Sequence, residues 1–106
     1  MIEEFIEQTL LFDFYGELLT EHQKRIYEDV VFGDLSYAEA ADVYAISRQG
    51  VHDLIKRCNK ALNGYEEKLH LVSRFRKIEK KVAEIREQAE QPKQVRQIAD
   101  EILEEL

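Results

Sequence analysis

From Val51 to Ala89 the apolar side chains recur at steps of three and four residues: Val51, Ile55, Cys58, Leu62, Tyr65, Leu69, Val72, Phe75, Ile78, Val82, Ile85 and Ala89. Only an α-helix brings residues so spaced onto one side. The alternation is close to a heptad seam, with a slip between Val72 and Ile78 where the steps stay at three. A helix of roughly 40 residues is ~60 Å long, and an apolar stripe of that length cannot stay in water. Two arrangements cover it. Either the helix folds back at Asn63-Gly64, its weak point, or the stripe meets a second chain. The expectation carried forward is a homodimer through Leu62, Tyr65, Leu69, Val72, Ile78 and Val82.

Helical spacing accounts for the remainder as well, and no segment alternates apolar and polar residues as a strand does. Ile2, Phe5, Ile6, Thr9, Leu10 and Phe12 or Asp13 predict a first helix over about Ile2 to Tyr15, ended by Gly16. Thr20 with Gln23 forms a capping-box pattern for a second helix, which Gly33 closes and which carries Ile26, Tyr27, Val30 and Val31 on its apolar face. Ser36 with Glu39 opens a short third helix reaching Tyr44, and Ser47 is suited to cap the next. Pro92 stops the long run, and a last helix from Lys93 to Leu106 shows Val95, Ile98, Ile102 and Leu106 on one stripe. The fold class expected is all-α, with a helical N-terminal domain over residues 1–62 and a helical arm with a C-terminal helix over residues 63–106.

Ser36 to Arg57, SYAEAADVYAISRQGVHDLIKR, reads as helix, tight turn, helix. Two helices that cross closely need small residues between them, and Ala40 and Ala41 supply these. Val51, Leu54 and Ile55 give the second helix its inner face, and Ile46 plugs the turn. Ser47 caps backbone amides that would otherwise point at a phosphate. Arg48, Gln49, His52, Asp53, Lys56, Arg57 and Lys60 then face outward, as on a helix held out to enter a groove. Arginine and glutamine make two-point contacts to guanine and adenine edges. Lys56, Arg57 and Lys60 suit phosphates, which fix position rather than sequence. The candidate nucleic-acid-binding set is therefore Ser47, Arg48, Gln49, His52, Lys56, Arg57 and Lys60.

The formal net charge of −7 opposes indiscriminate binding to polyanions. Its distribution is sharper. Residues 1–47 carry eleven acids against Lys24 and Arg25, residues 48–81 ten bases against four acids, and residues 82–106 three bases against seven acids, giving −9, +6 and −4. The basic block begins where the outward-facing helix begins.

Other chemistries are poorly served. His22, His52 and His70 are not spaced as metal ligands, and Cys58 is a single cysteine on the apolar stripe, suited to core packing and a reducing compartment. There is no glycine-rich phosphate loop, no apolar run of membrane-spanning length and no basic leader, so a cytoplasmic, non-catalytic protein without cofactor or metal is expected. Phe5, Phe12, Phe14, Tyr15 and Tyr27 are read as core, with one of the adjacent Phe14 and Tyr15 exposed.

Leu19-Thr20 with Gln23, Ser36 with Glu39, and Ile46-Ser47-Arg48 before Val51 resemble region 4 of sigma-70-type factors, which reads promoter −35 elements. Over about residues 4 to 90 the leader, the LLFDFYGELLT junction, SRQGVHDLIKR and the basic arm resemble the bacterial YlxM proteins. That resemblance implies an accessory or regulatory role in signal recognition particle targeting, with the particle's RNA or its GTPase as partner. DNA is the partner that the motif alone suggests. Two features depart from a sequence-reading helix. Ala45 stands where the turn favours glycine or asparagine, and a left-handed alanine costs roughly 1–2 kcal/mol. Asp53 would lie near phosphates, which is unfavourable unless it pairs with Lys56 or Arg57 or accepts from a cytosine amino group. A protein-only module docking through its acidic front half is the remaining reading.

Overall fold

The computed structural model describes residues 2–106, and every regular element among them is helical. They form α1 (Ile2–Tyr15), α2 (Glu21–Tyr27), α3 (Tyr37–Tyr44), α4 (Arg48–Leu69), α5 (Leu71–Glu87) and α6 (Pro92–Glu105). The all-α expectation holds. The chain divides into two compact units between Leu69 and His70.

In the first unit α4 packs against α1, α2 and α3. Both expected capping boxes form. Thr20 Oγ1 accepts from the Gln23 amide at 3.1 Å while Gln23 Oε1 accepts from the Thr20 amide at 3.0 Å. Ser36 and Glu39 repeat the exchange at 3.0 and 3.1 Å. The Ser36 amide and hydroxyl hold the Glu39 carboxyl below the usual carboxylate range, so the stability this cap adds is full above that range and is lost as pH falls below it.

The core gathers Leu11, Tyr15, Leu19, Ile26, Tyr27, Ala40, Ala41, Val51, Ile55, Cys58 and Leu62, all buried. The small residues between α3 and α4 are where the close crossing needs them. Burial pushes the Cys58 thiol up, which keeps it an inert packing group. Polar groups inside this unit tie the helices together. The Tyr27 hydroxyl donates to Asn59 Oδ1 at 2.6 Å and accepts from Gln8 Nε2 at 2.9 Å, linking α2, α4 and α1. Tyr15 donates to Glu66 Oε1 at 2.6 Å.

The second helical run ends at Gly33 as expected but changes type on the way. After Tyr27 the backbone widens into a π-type turn over Glu28–Phe32, closed by the Gly33 amide on the Glu28 carbonyl at 2.8 Å. This carries Phe32 over to α1, where its ring meets Phe12 at 5.3 Å and Phe5 at 5.9 Å. A Cβ at Gly33 would lie 2.8 Å from the Asp29 carbonyl oxygen, so the close approach itself requires glycine there. Phe5, read from the sequence as core, remains half exposed. Of the adjacent pair, Tyr15 is buried and Phe14 is exposed.

The long stripe is interrupted, though not at Gly64. Helix α4 runs straight through Asn63-Gly64 to Leu69, and His70 then turns left-handed at φ 56° before α5 begins. A single helix to Ala89 is therefore replaced by two. Glycine inside a helix costs only about 1 kcal/mol relative to alanine, which the packing of α4 outweighs. In the second unit α5 packs against α6 as an antiparallel pair, with Lys81 bonded to Glu101 at 2.5 Å, and Pro92 occupies the first turn of α6.

Two backbone positions invite opposite substitutions. Ala45 is left-handed at φ 55°, as the sequence reading anticipated, and nothing lies within 4 Å of a Cβ built at Gly64. Ala45→Gly relieves the strain, and Gly64→Ala removes a flexible link from an open helical site. Each is expected to stabilise the unit by about 1 kcal/mol. Each should raise the thermal midpoint by about 4–8 °C, as calorimetry can read.

Candidate nucleic-acid interface

Helix α4 is buried along Val51, Ile55, Cys58 and Leu62 and exposed on the opposite side. Ser47 Oγ accepts from the Gly50 amide at 2.9 Å, so the expected N-cap is formed. The remaining first-turn amides keep the partial positive charge of a helix N-terminus. The turn that delivers α4 is set by left-handed Ala45 and by the Ile46 amide bonding back to the Ala41 carbonyl at 3.1 Å.

All seven predicted contact residues are exposed: Ser47, Arg48, Gln49, His52, Lys56, Arg57 and Lys60. They lie along α4 between Arg48 and Lys60 and on the residue that caps it. Lys56, Arg57 and Lys60 gather with Asp53 around a shallow groove of about 250 Å³. Arg57 also borders a second groove of about 350 Å³, where His22 and Gln23 of α2 meet Ile46 and Leu54.

Asp53 is engaged by neighbours on its own helix. It accepts from Gln49 Nε2 at 3.0 Å and lies 3.7 Å from His52 Nδ1. The bond leaves the Gln49 amide oxygen and one N–H open and holds the side chain in one orientation. The carboxylate also discourages phosphate from settling in the middle of the basic face. One neighbour escaped the sequence reading. Tyr37, at the start of α3, is exposed at 39% and sets its ring edge-on to His52 at 5.9 Å. The signal was available, since an aromatic residue directly after the Ser36 cap must lie near the open end of the motif.

The six residues proposed for dimerisation differ in exposure within the single chain. Leu62 and Val72 are buried within the single chain, Tyr65 and Ile78 are partly covered, and Leu69 and Val82 are exposed. The Tyr65 ring lies tilted against Tyr15 at 5.9 Å. No three His, Cys, Asp or Glu side chains gather as metal ligands among the described residues, and no helix there is long and apolar enough to cross a membrane.

Comparison with known proteins adds a family. The family model described as "Putative helix-turn-helix protein, YlxM / p13 like" matches residues 2–102. A UPF0122 protein of Caldanaerobacter subterraneus subsp. tengcongensis is 45% identical over 82% of this chain and 74% of its own length. One from a Thermoanaerobacter species is 41% identical over 100% of this chain and 96% of its own. A Clostridium perfringens relative is 39% identical over 99% and 97%.

Proposed function

The chain belongs to the UPF0122 family, and from that membership we propose that it is a cytoplasmic nucleic-acid-binding regulatory or accessory protein that works through the outer face of α4. The observation that carries this reading is the exposure of Arg48, Gln49, Lys56, Arg57 and Lys60 on one capped helix, at the start of the +6 block of an otherwise acidic chain. Arg48 and Gln49 address base edges, and the later bases address phosphates.

A second reading has its own support. Exposed Tyr37 and His52 beside Arg48 suit unstacked bases better than the floor of a duplex groove. Unstacked bases are what folded RNA displays. With the resemblance to YlxM proteins, this favours the signal recognition particle RNA as ligand, alone or with the particle's GTPase.

The test is a competition titration at two salt concentrations with random duplex DNA and signal recognition particle RNA, with and without the GTPase. Salt-dependent binding to at least one ligand is expected, and no binding to either at low salt rejects the proposal. A preference of about tenfold or more for the RNA or the assembled particle selects the second reading. Equal binding to both returns the question to promoter sites.

A further inference from the structure

The front half of the molecule carries a surface of opposite character. A groove of about 430 Å³ opens between α1 and the π-type turn, floored by Phe12 and Phe32 and rimmed by Asp13, Glu28 and Asp29. The apolar floor does not stop at the groove. Phe5 lies against Phe32 with 51% of its surface exposed, and Ile6 and Ile2 extend the stripe along α1 at 43% and 78% exposure. A contiguous apolar strip of this kind with a polar rim is the usual mark of a protein contact.

The rim's charge narrows the occupant. The only bases among residues 1–47 are Lys24, which pairs with Glu17 and also attracts Glu28, and Arg25, which pairs with Glu21. Asp29 is bonded to Tyr44, while Asp13 and Glu28 are exposed. Nucleic acids and anionic lipid surfaces are repelled by such a rim, and a neutral apolar peptide would leave its carboxylates unanswered. A helix with an apolar stripe flanked by lysine or arginine answers both features, stripe to phenylalanines and cations to carboxylates.

We propose that this groove docks a basic amphipathic helix of a partner protein. The proposal concerns the opposite electrostatic half from the nucleic-acid face and does not depend on it. A chain so built joins a polyanion on one side to a cationic protein on the other.

The experiment uses the whole chain and a labelled helical peptide of leucine and lysine at three- and four-residue spacing, read by fluorescence anisotropy. A leucine–glutamate peptide of the same spacing is the comparison. The lysine peptide is expected to bind and the glutamate peptide not. Phe5→Ser and Glu28→Lys should each weaken binding about tenfold or more. Glu104→Lys, the same charge change on α6, should leave it within about twofold. Arg48→Glu should leave peptide binding intact while weakening nucleic-acid binding, so either reading can fail alone. Phe5 and Glu28 are exposed, and unchanged circular dichroism confirms that the variants fold. Three outcomes overturn the proposal: equal binding of both peptides, equal loss in Glu104→Lys and Glu28→Lys, or a doubled mass of the free chain that Phe5→Ser abolishes. The last would mean that a second copy fills the groove.

Discussion

Leu62→Ala is expected to destabilise the first unit by about 2–5 kcal/mol, the range for removing a large side chain from a packed core. Leu62 has no exposed surface in the single chain, as is true of Ile26, Tyr27 and Cys58. For a domain of this size the loss is a large fraction of the ~5–15 kcal/mol that holds a fold together. The decisive observation is concentration. If Leu62 belongs to the core, the thermal midpoint of the protein and of the variant will not move with protein concentration. A seam residue between two chains would make both midpoints rise with it.

The second large effect concerns the basic face. Replacing Arg48 and Lys56 together with glutamate should weaken nucleic-acid binding by about 100-fold or more at moderate salt, since each contact of this kind is worth about 1–3 kcal/mol or one unit of salt slope. The slope of log affinity against log salt should shrink by about two or more. Asp53→Asn tests the same face in the other direction. With the carboxylate gone, Gln49 loses its charged acceptor and the phosphates lose a repelling group. Affinity for unrelated sequences should therefore rise, and discrimination between sequences should fall. An unchanged affinity and slope in the double charge reversal would falsify the assignment of α4 as the contact helix.

Local chemistry made much of this architecture readable. Thr20 with Gln23, Ser36 with Glu39, and Ser47 each mark a helix start because the signal lies within one turn of the residue it acts on. Ala40 and Ala41 were legible for a similar reason, since a close crossing tolerates little else. The stripe from Val51 to Ala89 was legible only in part. Periodicity says which side of a helix is apolar but not what lies upon it, and here α4 is covered by α1, α2 and α3 while α5 meets α6. Residue type marks Asn63-Gly64 as the weak point of the stripe, whereas His70 takes the left-handed turn with neither glycine nor proline to announce it. On the candidate site, the exposed positions followed from helix geometry. The Gln49–Asp53 bond was also within reach, as a pair four residues apart. The phenylalanine groove was not, because Phe32 reaches α1 only through the extra width of the π-type turn.

The bond between Tyr27 and Asn59, with Gln8 as third member, carries a kinetic consequence. It locks α4 to α1 and α2 through buried and part-buried groups, so tilting α4 alone would strand polar atoms away from water. A helix held in this way meets its ligand already shaped. Encounter with nucleic acid should then proceed as rigid-body docking, with little ordering entropy to surrender on contact. Its association rate will be governed by diffusion and by the basic face at close approach, and not by a folding step after collision.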